Sequence, residues 1–119
     1  MKKNKNKILK IEYIKKDRIL KLFFEDGFIS SITSELLRVY SPSAETTGHT
    51  GQSPPPLVLD KQNVNIIYIE HIGNYAIKLH FDDLHNTGIY SWKYLRYLVE
   101  NSDLLKKNYK KKLAEIGKS

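Results

Sequence analysis

The chain has 119 residues, of which 40% are apolar and 28% are charged, a composition typical of a single globular domain with a modest core. It contains no cysteine, which excludes disulfides, thiolate zinc sites, cysteine-ligated iron–sulfur clusters and cysteine nucleophiles. No apolar run approaches the roughly 20 residues of a membrane-spanning helix. The apolar stretch of Ile8 and Leu9 after the basic N-terminus is too short for a secretory signal. We therefore expect a cytoplasmic protein with no membrane partner.

The net charge of +7 is concentrated at the two ends of the chain. Residues 1–40 carry ten basic and five acidic residues, residues 41–90 carry two and five, and residues 91–119 carry eight and three. Seventeen of the twenty basic residues are lysine, whereas recognition of bases and phosphates favours arginine. Nucleic-acid binding by the lysine-rich ends is therefore only the third of our functional hypotheses.

The first third of the chain predicts an antiparallel meander. Residues 8–15, 19–25 and 28–32 alternate between apolar and polar side chains, with Leu9, Ile11 and Tyr13 expected on one face of the first strand. Asp26-Gly27 between the second and third strands is a strong hairpin signal. A short helix over residues 35–40 follows, with Thr33 or Ser34 as its N-cap, and residues 41–60 show no regular period.

The second half predicts two more strands and two helices. Residues 64–72 are apolar on most of both faces, which favours a central strand, and residues 75–81 alternate strictly. A polar loop over 82–88 and a brief extended step precede a core-facing helix capped by Ser91. The lysine-rich tail predicts a basic amphipathic helix.

These elements predict a single small α+β domain over residues 1–103, followed by a helical tail over residues 104–119. The domain would contain an antiparallel sheet of about five strands with one main helix packed on it. Motifs for nucleotide binding or nucleophilic catalysis are absent from the sequence, so we expect a non-catalytic protein without a cofactor.

The polar loop after the fifth strand is the densest cluster of reactive side chains. Asp82, Asp83 and His85 lie together, and oxygen and imidazole ligands suit a metal ion or a small anion. The alternative without a ligand is that the two carboxylates cap turns and that His85 forms a hydrogen bond with a backbone carbonyl. His49, between two glycines of the irregular loop, is the best distant partner for His85. A metal or small-ligand site that uses these two histidines is our second hypothesis.

Four sequence blocks carry a resemblance to a known family. They are LLRVYSPSAE (36–45), GHTGQ (48–52), IGNYAIKLHFDD (72–83) and HNTGIYSWKYL (85–95). Together they resemble the gamma-butyrobetaine-hydroxylase-like N-terminal domain family, in its small stand-alone bacterial branch of unknown function. The resemblance implies an α+β domain. In the family, this domain occurs alone, ahead of an oxygenase domain, or attached to P-loop ATPases that carry iron–sulfur clusters.

The resemblance also implies where a structural zinc would lie, and the chain departs from it there. The family's cysteine run would fall on Ser41, Ser43 and Thr46, and its histidine on His85. Hydroxyls are poor zinc ligands beside thiolates, so we expect no zinc. A second departure is Leu84, where the branch usually has glycine.

Our leading hypothesis is a non-catalytic binding or adaptor domain. The resemblance implies a protein partner, such as a P-loop ATPase carrier or an iron–sulfur assembly factor. The family blocks converge on polar rather than core residues, and these form the expected partner-binding surface: Arg38, Ser41, Ser43, His49, Asp82, Asp83 and His85.

Overall fold

The computed structural model describes residues 6–42, 63–83 and 88–115 of the chain. Its first sheet is a three-stranded antiparallel meander formed by β1 (Ile8–Ile14), β2 (Ile19–Phe24) and β3 (Ile29–Thr33). The Asp26-Gly27 hairpin is confirmed, because Phe23 pairs with Ile29 across it and Gly27 has a φ of +93°, which glycine adopts without strain.

The second sheet contains β4 (Ile66–Ile72), β5 (Ala76–Phe81) and β6 (Ile89–Ser91), again antiparallel and in chain order. The α+β class is confirmed, but the expectation of one sheet with about five strands is wrong in its detail. The short extended step before the Ser91 helix pairs with the start of β5, where Ile77 lies opposite Tyr90. It therefore adds a sixth strand, and each set of three strands forms its own sheet within the described residues.

The face predicted for β1 is also corrected. Ile11 and Tyr13 pack against the core as expected, but Leu9 is 61% exposed and Ile8 is buried in its place. The pairing with β2 shifts register between Ile8 and Lys10. A one-residue shift of this kind moves the following side chains to the opposite face.

β4 lies at an edge of its sheet, not at the centre, which is occupied by β5. Ile67 and Tyr68 are 64% and 59% exposed, and the pairing of β4 with β5 shifts register between Ile66 and Tyr68. The apolar side chains on both faces of β4 thus indicate an exposed apolar surface, and the prediction of a central strand was wrong. β5 has the buried alternating side chains Ile77, Leu79 and Phe81.

Three helices complete the described part of the chain: α1 (Ser34–Val39), α2 (Trp92–Glu100) and α3 (Ser102–Glu115). Both predicted N-caps are confirmed. The Thr33 hydroxyl accepts a hydrogen bond from the Leu36 amide, and the Ser91 hydroxyl accepts one from the Tyr94 amide at 3.0 Å. None of the helices described is long and apolar enough to cross a membrane.

One hydrophobic core joins both sheets and all three helices. Arg96 of α2 closes one side of it, because its guanidinium lies over the rings of Phe24 and Phe28, 4.8 and 4.2 Å from their centroids. The same group forms an ion pair with Asp26 of the β2–β3 turn at 3.1 Å and a second with Glu100 at 2.7 Å. The paired charges allow this arginine to be buried.

α3 packs against the domain by one apolar stripe, which agrees with the amphipathic helix predicted for the tail. Leu105 and Tyr109 are buried, and the Tyr40 hydroxyl donates a hydrogen bond to the Leu105 carbonyl at 3.3 Å. The lysines of α3 all lie in solvent: Lys106, Lys107, Lys110, Lys111 and Lys112.

Candidate functional site

The candidate site forms where the end of α1 meets the segments on either side of the polar loop. Arg38 of α1 donates from Nε to Oδ2 of Asp83 at 2.8 Å, joining two positions 45 residues apart in the chain. The two side chains are 15% and 18% exposed. The structure thus brings together two residues of the predicted partner-binding surface, and their role in binding stays a prediction.

Asp82 is fixed by the segment that precedes β4. Its amide donates to the Asn65 carbonyl at 2.9 Å, and its Oδ1 accepts from the Asn65 amide at 3.1 Å. Asp82 itself remains exposed. The chain that leaves β5 is therefore held by two hydrogen bonds, and two consecutive carboxylates follow the strand, one facing solvent and one paired with an arginine.

Two tyrosine hydroxyls bind the carbonyls at the C-terminal end of α1. Tyr90 donates to the Leu37 carbonyl, and Tyr94 donates to the Tyr40 carbonyl at 2.6 Å. The last carbonyls of a helix have no partner within it, so these hydroxyls satisfy groups that would otherwise be left unpaired. They also fix α1, and with it Arg38, to β6 and α2.

These tyrosines are site residues that the sequence reasoning missed. From the sequence alone, Tyr90 and Tyr94 stand where half-buried aromatic side chains with outward hydroxyls would pack well. Tyr90 is instead completely buried, and both hydroxyls point inward to main-chain carbonyls. Burial raises the pKa of Tyr90 well above its usual value and raises the pKa of Tyr94 to about 12, with Tyr97 and Tyr40 adding to the effect. Both hydroxyls therefore stay protonated at neutral pH and act as donors.

Ser41, which follows α1, and Gly88, which precedes β6, are in close contact. Ser41 is buried, and its side chain forms a hydrogen bond with Tyr90. A Cβ atom built on Gly88 would lie 2.1 Å from the Ser41 Oγ, so the two segments approach as closely as glycine allows. The first and fourth family blocks are thus in direct contact, which the sequence alone does not show.

The remaining predicted site residues lie outside the described residues: Ser43, His49 and His85. The same is true of the two positions of departure from the family pattern, Thr46 and Leu84. The roles predicted for all of them, including the metal or small-ligand site of His49 and His85, stay predictions.

Of the four positions at which the resemblance implies zinc ligands, one lies within the described residues, and its side chain does not suit zinc. Ser41 stands at the first of the cysteine positions, and its hydroxyl is buried against Gly88 and bonded to Tyr90. A hydroxyl in this arrangement is a poor substitute for a thiolate ligand. Within residues 6–42, 63–83 and 88–115, no three His, Cys, Asp or Glu side chains come together in a way that could hold a metal ion.

Comparison with known proteins identifies the family of this chain. Residues 11–96 match the family model described as gamma-butyrobetaine hydroxylase-like, N-terminal. The chain belongs to this family. The gamma-butyrobetaine hydroxylase-like match covers both sheets apart from the start of β1, as well as α1 and most of α2, so every described residue of the candidate site lies inside it. No curated protein matches the chain.

Solved structures of similar proteins support this assignment to the family. A crystal structure at 1.93 Å resolution shows a protein of unknown function from Acidithiobacillus ferrooxidans, of the DUF971 family. It is 35% identical, with 79% of this chain and 93% of that chain covered and a TM-score of 0.67. A protein solved by NMR is 46% identical, with 95% and 83% covered and a TM-score of 0.82. A second NMR structure is 38% identical, with 94% and 87% covered and a TM-score of 0.79. The resemblance to a stand-alone branch of unknown function is confirmed.

Proposed function

We propose that the chain is a non-catalytic protein-binding domain whose binding surface is centred on the Arg38–Asp83 ion pair. The observation that carries this proposal is the ion pair itself, which holds a guanidinium and a carboxylate 2.8 Å apart with part of each side chain still exposed. The Ser41 amide donates a hydrogen bond to the Arg38 carbonyl at 3.4 Å, and Asp82 directly precedes Asp83 in the chain. Ser43, His49 and His85 also belong to the surface predicted from the sequence.

Pre-organisation supports a binding role. The Leu37 and Tyr40 carbonyls are held by tyrosine hydroxyls, which fixes the helix turn that carries Arg38. A side chain already held in one geometry loses less conformational entropy when a partner docks on it. An arginine also offers several donors in a rigid plane, which suits recognition of a carboxylate or a carbonyl on a partner.

The class of partner is proposed from the family resemblance alone. That resemblance associates the domain with P-loop ATPases that carry iron–sulfur clusters, so we propose that the partner is a P-loop ATPase carrier or an iron–sulfur assembly factor. As part of the same proposal, the chain acts in the cytoplasm. One fold can host many functions, so the binding surface and the identity of the partner are tested by separate outcomes.

The test is quantitative affinity purification of the tagged chain with two matched sets of variants. Arg38→Ala and Asp83→Asn each break the ion pair of the site. Lys10→Ala and Glu12→Gln break an exposed ion pair on β1, where the two charged atoms lie 3.4 Å apart. The exposed β1 pair contributes up to about 1 kcal/mol to stability. The side chains of Arg38 and Asp83 are only 15% and 18% exposed, so removal of either partner costs more, and thermal unfolding measures whether each variant remains folded under the conditions of the purification.

We expect a specific partner to be retained by the β1 variants and reduced about tenfold or more by either site variant, a change equivalent to about 1.4 kcal/mol. Retention of every specific partner by Arg38→Ala and by Asp83→Asn would refute the proposed surface. If the partner lost with these variants is neither a P-loop ATPase nor an iron–sulfur assembly factor, the binding surface stands and the proposed partner class is wrong.

A further inference from the structure

A groove lies between α1 and α3, and neither Arg38 nor Asp83 lines it. It encloses about 120 Å³, a space comparable to the engineered cavity of about 150 Å³ that accepts a benzene molecule in another protein. It therefore has room for about one apolar side chain. The residues that line it are Thr33, Glu35, Leu36, Lys106, Tyr109, Lys110 and Leu113.

The groove is apolar at its centre and charged unequally at its two rims. Leu36 and Tyr109 are buried, and Leu113 is half-buried beside them. On the α3 side the rim is formed by Lys106 and Lys110, whereas Glu35 lies on the α1 side. A ligand matched to this groove has an apolar side chain at its centre and negative charge facing α3.

The lysines of α3 extend the positive rim. Residues in a helix are 100° apart, so Lys106, Lys110, Lys107 and Lys111 fall within one arc of about 140°. All four are exposed. The acidic residues of α3 are Asp103 and Glu115 against five lysines, which leaves a net charge of +3 on the helix. This field attracts an acidic ligand from a distance and orients it on the groove.

We propose that this groove binds an acidic segment of a partner protein, which inserts one apolar side chain between α1 and α3 and places carboxylates against Lys106 and Lys110. This site goes beyond the Arg38–Asp83 surface and does not depend on it.

Two other occupants fit the observations less well. A phosphate backbone gains nothing from an apolar centre, and α3 lacks the arginine that favours phosphate and base recognition. A membrane surface would require an amphipathic helix with an unoccupied apolar stripe. Leu105 and Tyr109 of α3 are already buried against the domain.

The probe is a short fluorescein-labelled peptide with one leucine flanked on both sides by glutamates, and its binding is measured by fluorescence anisotropy at low salt. One control peptide has serine in place of leucine, and a second has glutamine in place of every glutamate. A labelled single-stranded oligonucleotide and anionic lipid vesicles test the two other occupants. We expect the acidic leucine peptide to bind about tenfold or more tightly than either control peptide.

Two double variants with the same change of charge locate the site. Lys106→Glu/Lys110→Glu alters the rim, and Lys107→Glu/Lys111→Glu alters the same helix away from the groove. Both double variants lower the charge of α3 equally, so we expect both to weaken peptide binding. We expect the rim variant to weaken it about threefold or more beyond the control variant, because only Lys106 and Lys110 line the groove. Circular dichroism verifies that both variants fold, which is expected because all four lysines are exposed.

Four outcomes would overturn the proposal. They are equal binding of the three peptides, absence of binding by all of them, an equal loss in the two double variants, and tighter binding of the oligonucleotide or the vesicles than of the acidic leucine peptide. The Arg38→Ala variant should bind the peptide like the unchanged chain, so failure here is distinguishable from failure of the proposed function.

Discussion

Replacing Gly88 by alanine probes the contact on which the geometry of the site depends. The added Cβ would lie 2.1 Å from the Ser41 Oγ, and 3.3 and 3.4 Å from a ring carbon of Tyr90 and the Cδ of Pro42. The first distance requires a displacement, whereas the other two require shifts of only a few tenths of an ångström. Overpacking of this kind destabilises the folded chain by about 1–3 kcal/mol. Replacement of glycine by alanine also stabilises it by about 0.4–1 kcal/mol, because alanine lowers the conformational entropy of the unfolded chain. We expect a net destabilisation of about 1–2 kcal/mol.

The Ser41→Ala substitution isolates the cause. Alone it removes one hydrogen bond and should cost about 0.5–1.5 kcal/mol. In its presence the atom nearest to the new Cβ is gone, so Gly88→Ala should cost less than about 0.5 kcal/mol or should stabilise the chain. Urea unfolding of the four proteins measures the coupling, and the melting temperature should fall by roughly 3–6 °C per kcal/mol for a chain of this length.

The reasoning is refuted if the two substitutions are additive. Additivity within about 0.5 kcal/mol is the behaviour of residues that share no contact, and it would mean that Ser41 does not lie against Gly88. The first and fourth family blocks would then not meet as the structure shows.

Two further predictions concern stability. Tyr90→Phe removes a buried hydroxyl that donates to a helix carbonyl, so it should lower the free energy of urea unfolding by about 1–3 kcal/mol. The control Tyr68→Phe changes a side chain that is 59% exposed, so it should change that free energy by less than about 0.5 kcal/mol. Equal effects of the two substitutions would contradict the inward direction of the Tyr90 hydroxyl. The Arg96 guanidinium, aided by the Phe28 amide, holds the pKa of Asp26 below its ordinary value of 3.8, so the stability this carboxylate contributes is present above that value and lost as the pH falls through the lowered pKa. Asp26→Asn should flatten the acid side of a plot of unfolding free energy against pH, and an unchanged slope would show that the pairing with Arg96 does not persist in solution.

Local signals in the sequence predicted the elements of the fold well. Asp26-Gly27 predicted the β2–β3 hairpin, and Ser91 predicted the start of α2, because turn and cap preferences depend on a few neighbouring residues. The division into two sheets was not predictable in the same way, because it depends on which distant strands pair. Within β1, the exposure of Leu9 could not be predicted from the alternating pattern, because it depends on a register shift in the β1–β2 pairing.

Two charged residues of the predicted surface meet in the structure, and their role in binding stays a prediction. Arg38 and Asp83 were named, and they form an ion pair. Tyr90 and Tyr94 were misjudged because the direction of a hydroxyl is set by tertiary partners, here the unpaired carbonyls at the end of α1. A helix that ends near an irregular segment is a signal that such donors are needed, but it does not identify which residues supply them.

The central claim is that the surface around the Arg38–Asp83 ion pair is where a protein partner docks. Hydrogen–deuterium exchange of the chain, with and without a partner captured by affinity purification, tests it most directly. We predict that the partner slows exchange at the end of α1 and in the segments on either side of the polar loop, over residues 37–42, 82–83 and 88–90. Slower exchange confined to β1 or the outer face of β4, with these segments unchanged, would contradict the claim.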